Sequence, residues 1–218
     1  MSEVYRLATI EDAERLLYVT YEAYVTIREL ELHWPAANAD LALIKENITN
    51  NECYVLEVDG AIAATITLSK SDQLRWTTDL PFVKWFAVDP AYQGKGIGSK
   101  MLTWMEEAII RYKLGAPALT LGTAEKHPWL LPMYERRGYE RIHSFDPGNG
   151  DGTMYLLRKI VNPALFEAQQ LEKGHLHTGQ GLGGQISRCR LYVSGNVGGG
   201  KTVLPRRQIE SDRVRSIH

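Results

Sequence analysis

The run Val83-Lys84-Trp85-Phe86-Ala87-Val88-Asp89-Pro90-Ala91-Tyr92-Gln93-Gly94-Lys95-Gly96-Ile97-Gly98-Ser99-Lys100 constrains the fold of this chain more than any other stretch. In an extended strand Val83, Trp85 and Ala87 fall on one side and Phe86 and Val88 on the other, so both faces are apolar and the strand is central. Asp89-Pro90 ends it, because proline has no amide for a sheet ladder. From Gly98 an amphipathic helix is predicted, with Met101, Leu102, Met105, Ala108, Ile109 and Tyr112 at helical spacing and Gly115 as its stop. Glycines at 94, 96 and 98 let amides turn inward beside the positive end of the helix dipole, which is an anion cradle suited to phosphate. The same glycines would also serve a tight strand-to-helix turn alone. The glycine spacing is not that of the dinucleotide fingerprint, and no strand ending in an acidic residue follows at the required distance.

With 218 residues, 44% of them hydrophobic and 23% charged, the chain can bury one sizeable core and have length left over. A formal net charge of -1 gives the whole molecule no strong pull toward nucleic acid or membrane. The start, Met1-Ser2-Glu3-Val4-Tyr5-Arg6, lacks a basic and then apolar pattern, and no apolar run would span a bilayer, so a soluble, cytoplasmic protein is expected. Cys53 and Cys189 offer neither a disulfide framework nor paired metal-ligand spacing.

Along the chain, Val4 to Leu7 reads as a strand and Thr9-Ile10-Glu11-Asp12 as a capping box opening a helix, whose buried stripe is Ala13, Leu16, Leu17, Tyr21 and Tyr24. Trp34-Pro35-Ala36-Ala37 breaks that pattern, and Asn38 is placed to cap a second helix through Leu41, Ile44 and Ile48. Cys53 to Val58 and Ala61 to Leu68, joined by Asp59-Gly60, form a hairpin signal with a type I′ turn. After the cradle helix come a strand at Ala118 to Thr123, a helix from Pro128 to Arg137 ended by Gly138, and strands at Tyr139 to Phe145 and Thr153 to Ile160. Pro132 fits that helix only near its first turn.

Gln93-Gly94-Lys95-Gly96-Ile97-Gly98 fits the Gln/Arg-x-x-Gly-x-Gly/Ala pattern of the GCN5-related N-acetyltransferase (GNAT) superfamily, and Phe86 to Tyr92 resembles that family's lead-in. Tyr134-Glu135-Arg136-Arg137-Gly138-Tyr139 resembles its Tyr-Glu-Lys-x-Gly-Phe, and the element order matches over roughly Val4 to Ile160. The resemblance implies an α/β (α+β) GNAT fold, a central mixed twisted sheet flanked by helices, over residues 1–160. A glycine-rich basic C-terminal extension, 161–218, is expected to form a short helix and then a poorly ordered stretch.

It further implies an N-acetyltransferase that moves acetyl directly from acetyl-CoA, as cosubstrate, to a primary amine of a small-molecule or protein acceptor, with no metal and no covalent enzyme intermediate. By position, amides of Gln93, Gly94, Lys95, Gly96, Ile97, Gly98 and Ser99 would hold the pyrophosphate. Main chain at Phe86, Ala87 and Val88 would pair with the pantetheine arm, and Tyr134 would protonate the departing thiolate. Lys95 and Lys100 either add charge near the phosphates or are solvated. His127 stands where the family often has Asn; it donates the same hydrogen bond, acts as a base, or caps the helix before Pro128. No motif fixes the base among Glu22, Glu29, Glu31 and Asp79, and Trp34, Trp76 and Trp129 either line the acceptor pocket or belong to the core. No nucleic-acid or membrane partner is expected, a homodimer is compatible, and the alternative is a non-catalytic acyl-CoA-binding regulatory module with a partner-binding tail.

After Ile160 eight Lys/Arg face four acids, a charge of +4, which subtracted from -1 leaves -5 for the body. The acidic body suits a cationic acceptor. Asn162-Pro163 begins a helix through Leu165, Ala168 and Leu171 to Gly174, and Arg188 to Val193 resembles a strand. Gly195-Asn196-Val197-Gly198-Gly199-Gly200-Lys201-Thr202 matches the P-loop template, but Pro205 blocks the helix that such a loop needs and few residues remain before His218. His175-Leu176-His177 lacks a third metal ligand nearby.

Overall fold

The computed structural model describes residues 2–71 and 77–177. A seven-stranded sheet runs in the order β1-β2-β3-β4-β5-β7-β6, with β1 Glu3–Leu7, β2 Glu52–Val58, β3 Ala61–Leu68, β4 Phe82–Val88, β5 Ala118–Ala124, β6 Glu140–Phe145 and β7 Met154–Ile160. Every neighbouring pair is antiparallel except β4 and β5, which are parallel. Helices α1 (Ala13–Ala23), α2 (Val25–Glu29) and α3 (Leu41–Asn50) serve one face. Helix α4 (Ile97–Trp104), its continuation Met105–Lys113, and α5 (Leu130–Arg136) serve the other, and α6 (Pro163–His177) follows the last strand.

Local chemistry explains most of these boundaries. The Thr9 amide donates to Asp12 Oδ2 at 2.8 Å, so the expected capping box is present and leads through a 3₁₀ turn into α1. Asp59 and Gly60 both take positive φ, 50° and 82°, as the type I′ hairpin requires. Pro132 is the third residue of α5, where its missing amide would have had no helical partner. Gly138, with φ of 87°, ends that helix.

Four expectations need correction. Asp40, not Asn38, caps α3, its carboxylate accepting from the Leu43 amide at 2.8 Å, because Asn38 is consumed by a 3₁₀ turn at Pro35–Asn38. Tyr21 is exposed, its place in the buried stripe taken by Val19 and Thr20. Tyr112 is also exposed. From Met105 the cradle helix widens to i→i+5 bonding, which rotates Glu106 and Ile110 inward and Tyr112 out. Helix α6 passes through Gly174 and continues to His177, with Asn162 Oδ1 accepting from the Leu165 amide at 3.3 Å and Leu171 exposed. Trp76, Cys189, the strand-like run 188–193, the P-loop match 195–202 and the side chains of His175 and His177 lie outside the described residues.

The largest core lies between the sheet and α4–α5, where Met101, Leu102, Met105 and Ile110 meet Leu56, Ile66, Val83, Leu119 and Leu157. On the opposite face Leu16 and Ile44 pack on Cys53, Val55 and Ile62, so Cys53 is a core residue as expected. A third cluster joins Val19, Tyr24, Ile27, Leu32, Ala36 and Ala37 to Ala87, Ala124 and Met154, laying the α1–α3 connection across the ends of β4, β5 and β7.

Asp40→Ala is expected to cost about 1 kcal/mol in urea unfolding and Asn38→Ala less than about 0.5 kcal/mol. Equal losses would contradict the assignment of the cap.

Candidate active site

The site begins with one extra residue in β4. Thr67 and Leu68 pair with Lys84 and Val83, whereas Ala64 and Thr65 pair with Val88 and Ala87, so Trp85 and Phe86 together face Ile66. Trp85 adopts φ of 53°, a left-handed conformation that a bulky aromatic rarely accepts. The bulge corrects the alternation expected from sequence: Val83 shares the α4 face with Phe86 and Val88, while Trp85 and Ala87 pack on the opposite one.

The bulge coincides with the end of β4–β5 pairing. Only Phe82–Thr120 and Val83–Leu121 are in register; beyond them the two strands part and leave a wedge between Trp85–Val88 and the end of β5. Two residues past the last pair, Thr123 Oγ1 is fully buried and has no hydrogen-bond partner. An orphaned hydroxyl at the wall of an opening fits a polar ligand there.

Next to the wedge stands the cradle. Asp89 is 3% exposed, bonds Arg15, and accepts from the Ala91 amide at 2.8 Å, while Arg15 also donates to the Ile62 carbonyl at 2.7 Å. This clamp ties the end of β4 to α1 and sets the direction of the turn. Gly94 and Gly96 take φ of 72° and 78° with open space around them, so they supply conformation and clearance. Gly98 has another role: a Cβ there would meet Val88 Cγ2 at 3.1 Å and Phe86 Cζ at 3.4 Å, so its bareness lets α4 approach β4. Gln93 Nε2 donates to the Val88 carbonyl at 3.2 Å, Lys95 Nζ to the Ala91 carbonyl at 2.8 Å, and Lys100 is paired with Glu3. Ile97 is buried and anchors the turn, and Ser99 Oγ accepts from Arg137 at 2.8 Å. The lysine side chains are thus engaged with the protein, leaving the main chain as the cradle's surface.

Tyr134 of α5 is 6% exposed and lies edge-on to Tyr139 with centroids 5.4 Å apart. Burial pushes its phenol well above the ordinary value, and the nearby Arg137 charge opposes this only in part. The Tyr139 hydroxyl is committed to Glu106 at 2.8 Å; no such bond ties up Tyr134. Burial likewise raises the phenol of Tyr24. His127 is 4% exposed and held neutral by burial; its Nδ1 accepts from the Leu130 amide at 3.3 Å, which is the capping role, and Trp129 stands edge-on to its ring.

Glu29, Glu31 and Asp79 are exposed and Glu22 is half-buried. Trp34 packs in the cluster over the strand ends, 6.5 Å from Tyr24, whereas Trp129 is 53% exposed. Sequence reasoning missed the buried Glu106, which receives Tyr139 and Lys159 Nζ at 2.5 Å and lies 3.6 Å from Arg137. Arg137 also bonds Thr103 at 2.9 Å, and this network fastens α5 to α4. A carboxylate flanked by Met105, Ile109 and Ile110 was its signal, legible only once the helix is known to widen. Among the described residues no group of His, Cys, Asp and Glu has a metal-binding arrangement, and no helix is long and apolar enough to cross a membrane.

Comparison with known proteins agrees with this geometry. The acetyltransferase (GNAT) family matches residues 14–139. S-(2-succino)cysteine N-acetyltransferase of Bacillus subtilis (strain 168) is 48% identical over 165 residues, 73% of this chain and 98% of that protein. S-alkylcysteine N-acetyltransferase of the same organism is 44% identical over 170 residues, 75% of this chain and 92% of that protein. The solved structure of PaiA N-acetyltransferase from Thermoplasma acidophilum, in complex with coenzyme A, superposes with a TM-score of 0.57 at 20% identity over 73% of this chain and 99% of that one. A parallel β4–β5 pair that opens at a bulge, a glycine cradle beside it and relatives of this kind make the chain a member of the acetyltransferase (GNAT) family, an N-acetyltransferase that draws its acetyl group from acetyl-CoA.

Proposed function

We propose that the acceptor is the α-amino group of a cysteine carrying a substituent on sulfur. The observation that carries this is that two relatives, 48% and 44% identical over about three quarters of the chain, are both named for S-substituted cysteines. The wall over the strand ends, with Tyr24, Trp34, Trp85, Phe145 and Met154, suits the thioether and its substituent, since aromatic and sulfur-containing side chains pack well on sulfur. Residues 1–160 form the catalytic domain in this reading, with the last strand among the described residues ending at Ile160 and 161–218 an extension beyond it.

Acetyl-CoA supplies an acyl group already activated as a thioester. Amides of Gln93, Gly94, Lys95, Gly96, Ile97, Gly98 and Ser99 hold its pyrophosphate at the cradle, and main chain at Phe86, Ala87 and Val88 lines its arm in the wedge. Thr123 and His127, on the other wall, add a hydroxyl and a neutral imidazole for hydrogen bonding. Tyr134 donates the proton that the leaving sulfur needs. Its raised pKa keeps the phenol protonated through neutral and mildly alkaline pH, so a proton is in place where the sulfur departs. The acceptor ammonium must lose a proton before attack; none of Glu22, Glu29, Glu31 and Asp79 is buried, and we assign that proton to water.

Three outcomes check this reading. Purified protein is expected to acetylate S-methylcysteine with stoichiometric release of thiol, and failure to turn over any S-substituted cysteine would refute the acceptor assignment. Tyr134→Phe is expected to lower kcat at least about 100-fold with little change in melting temperature, and unchanged kcat would remove Tyr134 as the acid. Gly98→Val is expected to raise KM for acetyl-CoA and to cost about 1–3 kcal/mol of stability by overpacking against Val88 and Phe86; unaltered KM would contradict the cradle.

A further inference from the structure

Most arginines among the described residues are matched to a carboxylate. Among the described residues Arg6, Arg15, Arg111, Arg137, Arg141 and Arg158 each lie within salt-bridge distance of an Asp or Glu. Arg28 and Arg136 do not; Arg136 is exposed at the end of α5, whereas Arg28 of α2 is half-buried in a body that is acidic overall. Nor is it a loose surface side chain. One Nη1 proton goes to the Ala37 carbonyl at 2.9 Å, and the guanidinium lies over the Tyr21 ring at 3.7 Å from its centroid. The group is half-buried, held from two directions, and retains most of its five N–H donors.

Its location matters as much as its state. Ile27, beside Arg28, and Ala37, to which it is bonded, both belong to the cluster that packs on Ala87, Ala124 and Met154, the residues that end or begin the strands around the wedge. The same wall contains Trp34, whose Nε1 is buried without a hydrogen-bond partner. A fixed guanidinium with no internal anion and an unused indole N–H are the complement of a carboxylate.

We propose that Arg28 binds the α-carboxylate of the acceptor and thereby makes the enzyme select free amino acids over simple amines. This rests on the S-substituted cysteine reading, in which amine and carboxylate share one carbon. The preorganised fork forms charge-assisted bonds without ordering a long side chain anew, and it fixes the amine by fixing its neighbour. Arg28 is a specificity residue in this account: it holds the acceptor and touches no reacting atom.

The test compares S-methylcysteine with its decarboxylated counterpart, 2-(methylthio)ethylamine, on wild type, Arg28→Lys and Arg28→Gln, following thiol release. Arg28→Gln is expected to lose about 100-fold in kcat/KM on S-methylcysteine and within about threefold on the amine, with the melting temperature and KM for acetyl-CoA held. Arg28→Lys, which keeps the charge and a donor for Ala37 but not the fork, is expected to fall between. Equal losses on both substrates would overturn the proposal and leave Arg28 a staple between α2 and the following turn, and so would a wild type that does not prefer the carboxylated substrate. Wild-type turnover of the amine but not of S-methylcysteine would instead overturn the acceptor reading on which the proposal stands.

Discussion

The working part of this protein depends on a single dislocation in its sheet. At Trp85 the strand β4 takes one residue more than β3 does, and β4 and β5 stay paired for only two registers. A continuous ladder would satisfy every backbone group and leave nowhere for a cosubstrate to lie. The left-handed Trp85 costs about 1–3 kcal/mol of backbone strain, which is offset by burying its ring against both clusters on the α1 side. The separation releases main-chain groups of β4 from the β4–β5 ladder, and in the proposed function these are the groups that line the cosubstrate's arm.

The surrounding interactions keep that separation in place. Arg15 and Asp89 clamp the end of β4 to α1, and Gly98 lets α4 settle against Val88 and Phe86. Glu106, Tyr139, Lys159 and Arg137 bind α4 to α5 and hence the cradle to the helix bearing Tyr134. A buried ionic network is seldom the cheapest source of stability, and here it serves to fix two functional elements relative to one another. The opposite wall is built differently, from apolar and aromatic groups with Arg28 at its edge. In the proposed function one side of the sheet would handle phosphate and sulfur through backbone and phenol, the other the acceptor through packing and one cation.

Much of this was legible in the sequence because the relevant signals are local. Asp59-Gly60 specifies a turn through the conformations those two residues tolerate, Thr9 and Asp12 satisfy each other within one turn, and the glycines at 94 and 96 mark a tight strand-to-helix turn by the positive φ they supply. What failed depended on distant partners. No pattern marks a tryptophan that will be forced into the left-handed region, so the facing of Val83 was inverted. The widening of the helix after Met105, which buries Glu106 and exposes Tyr112, is decided by packing against the sheet. Net charge is no guide to the site either: the acidic body is compatible with a cationic acceptor without selecting one. Charge summed over a molecule describes its long-range field, not its site.

Amide hydrogen exchange with and without coenzyme A tests the central claim most directly, because that claim concerns backbone. Saturation with ligand is expected to slow exchange at Phe86–Val88 and across Gln93–Ser99, with no change along α6. Protection confined elsewhere, or none in those two segments, would contradict a site built on the opened β4–β5 pair.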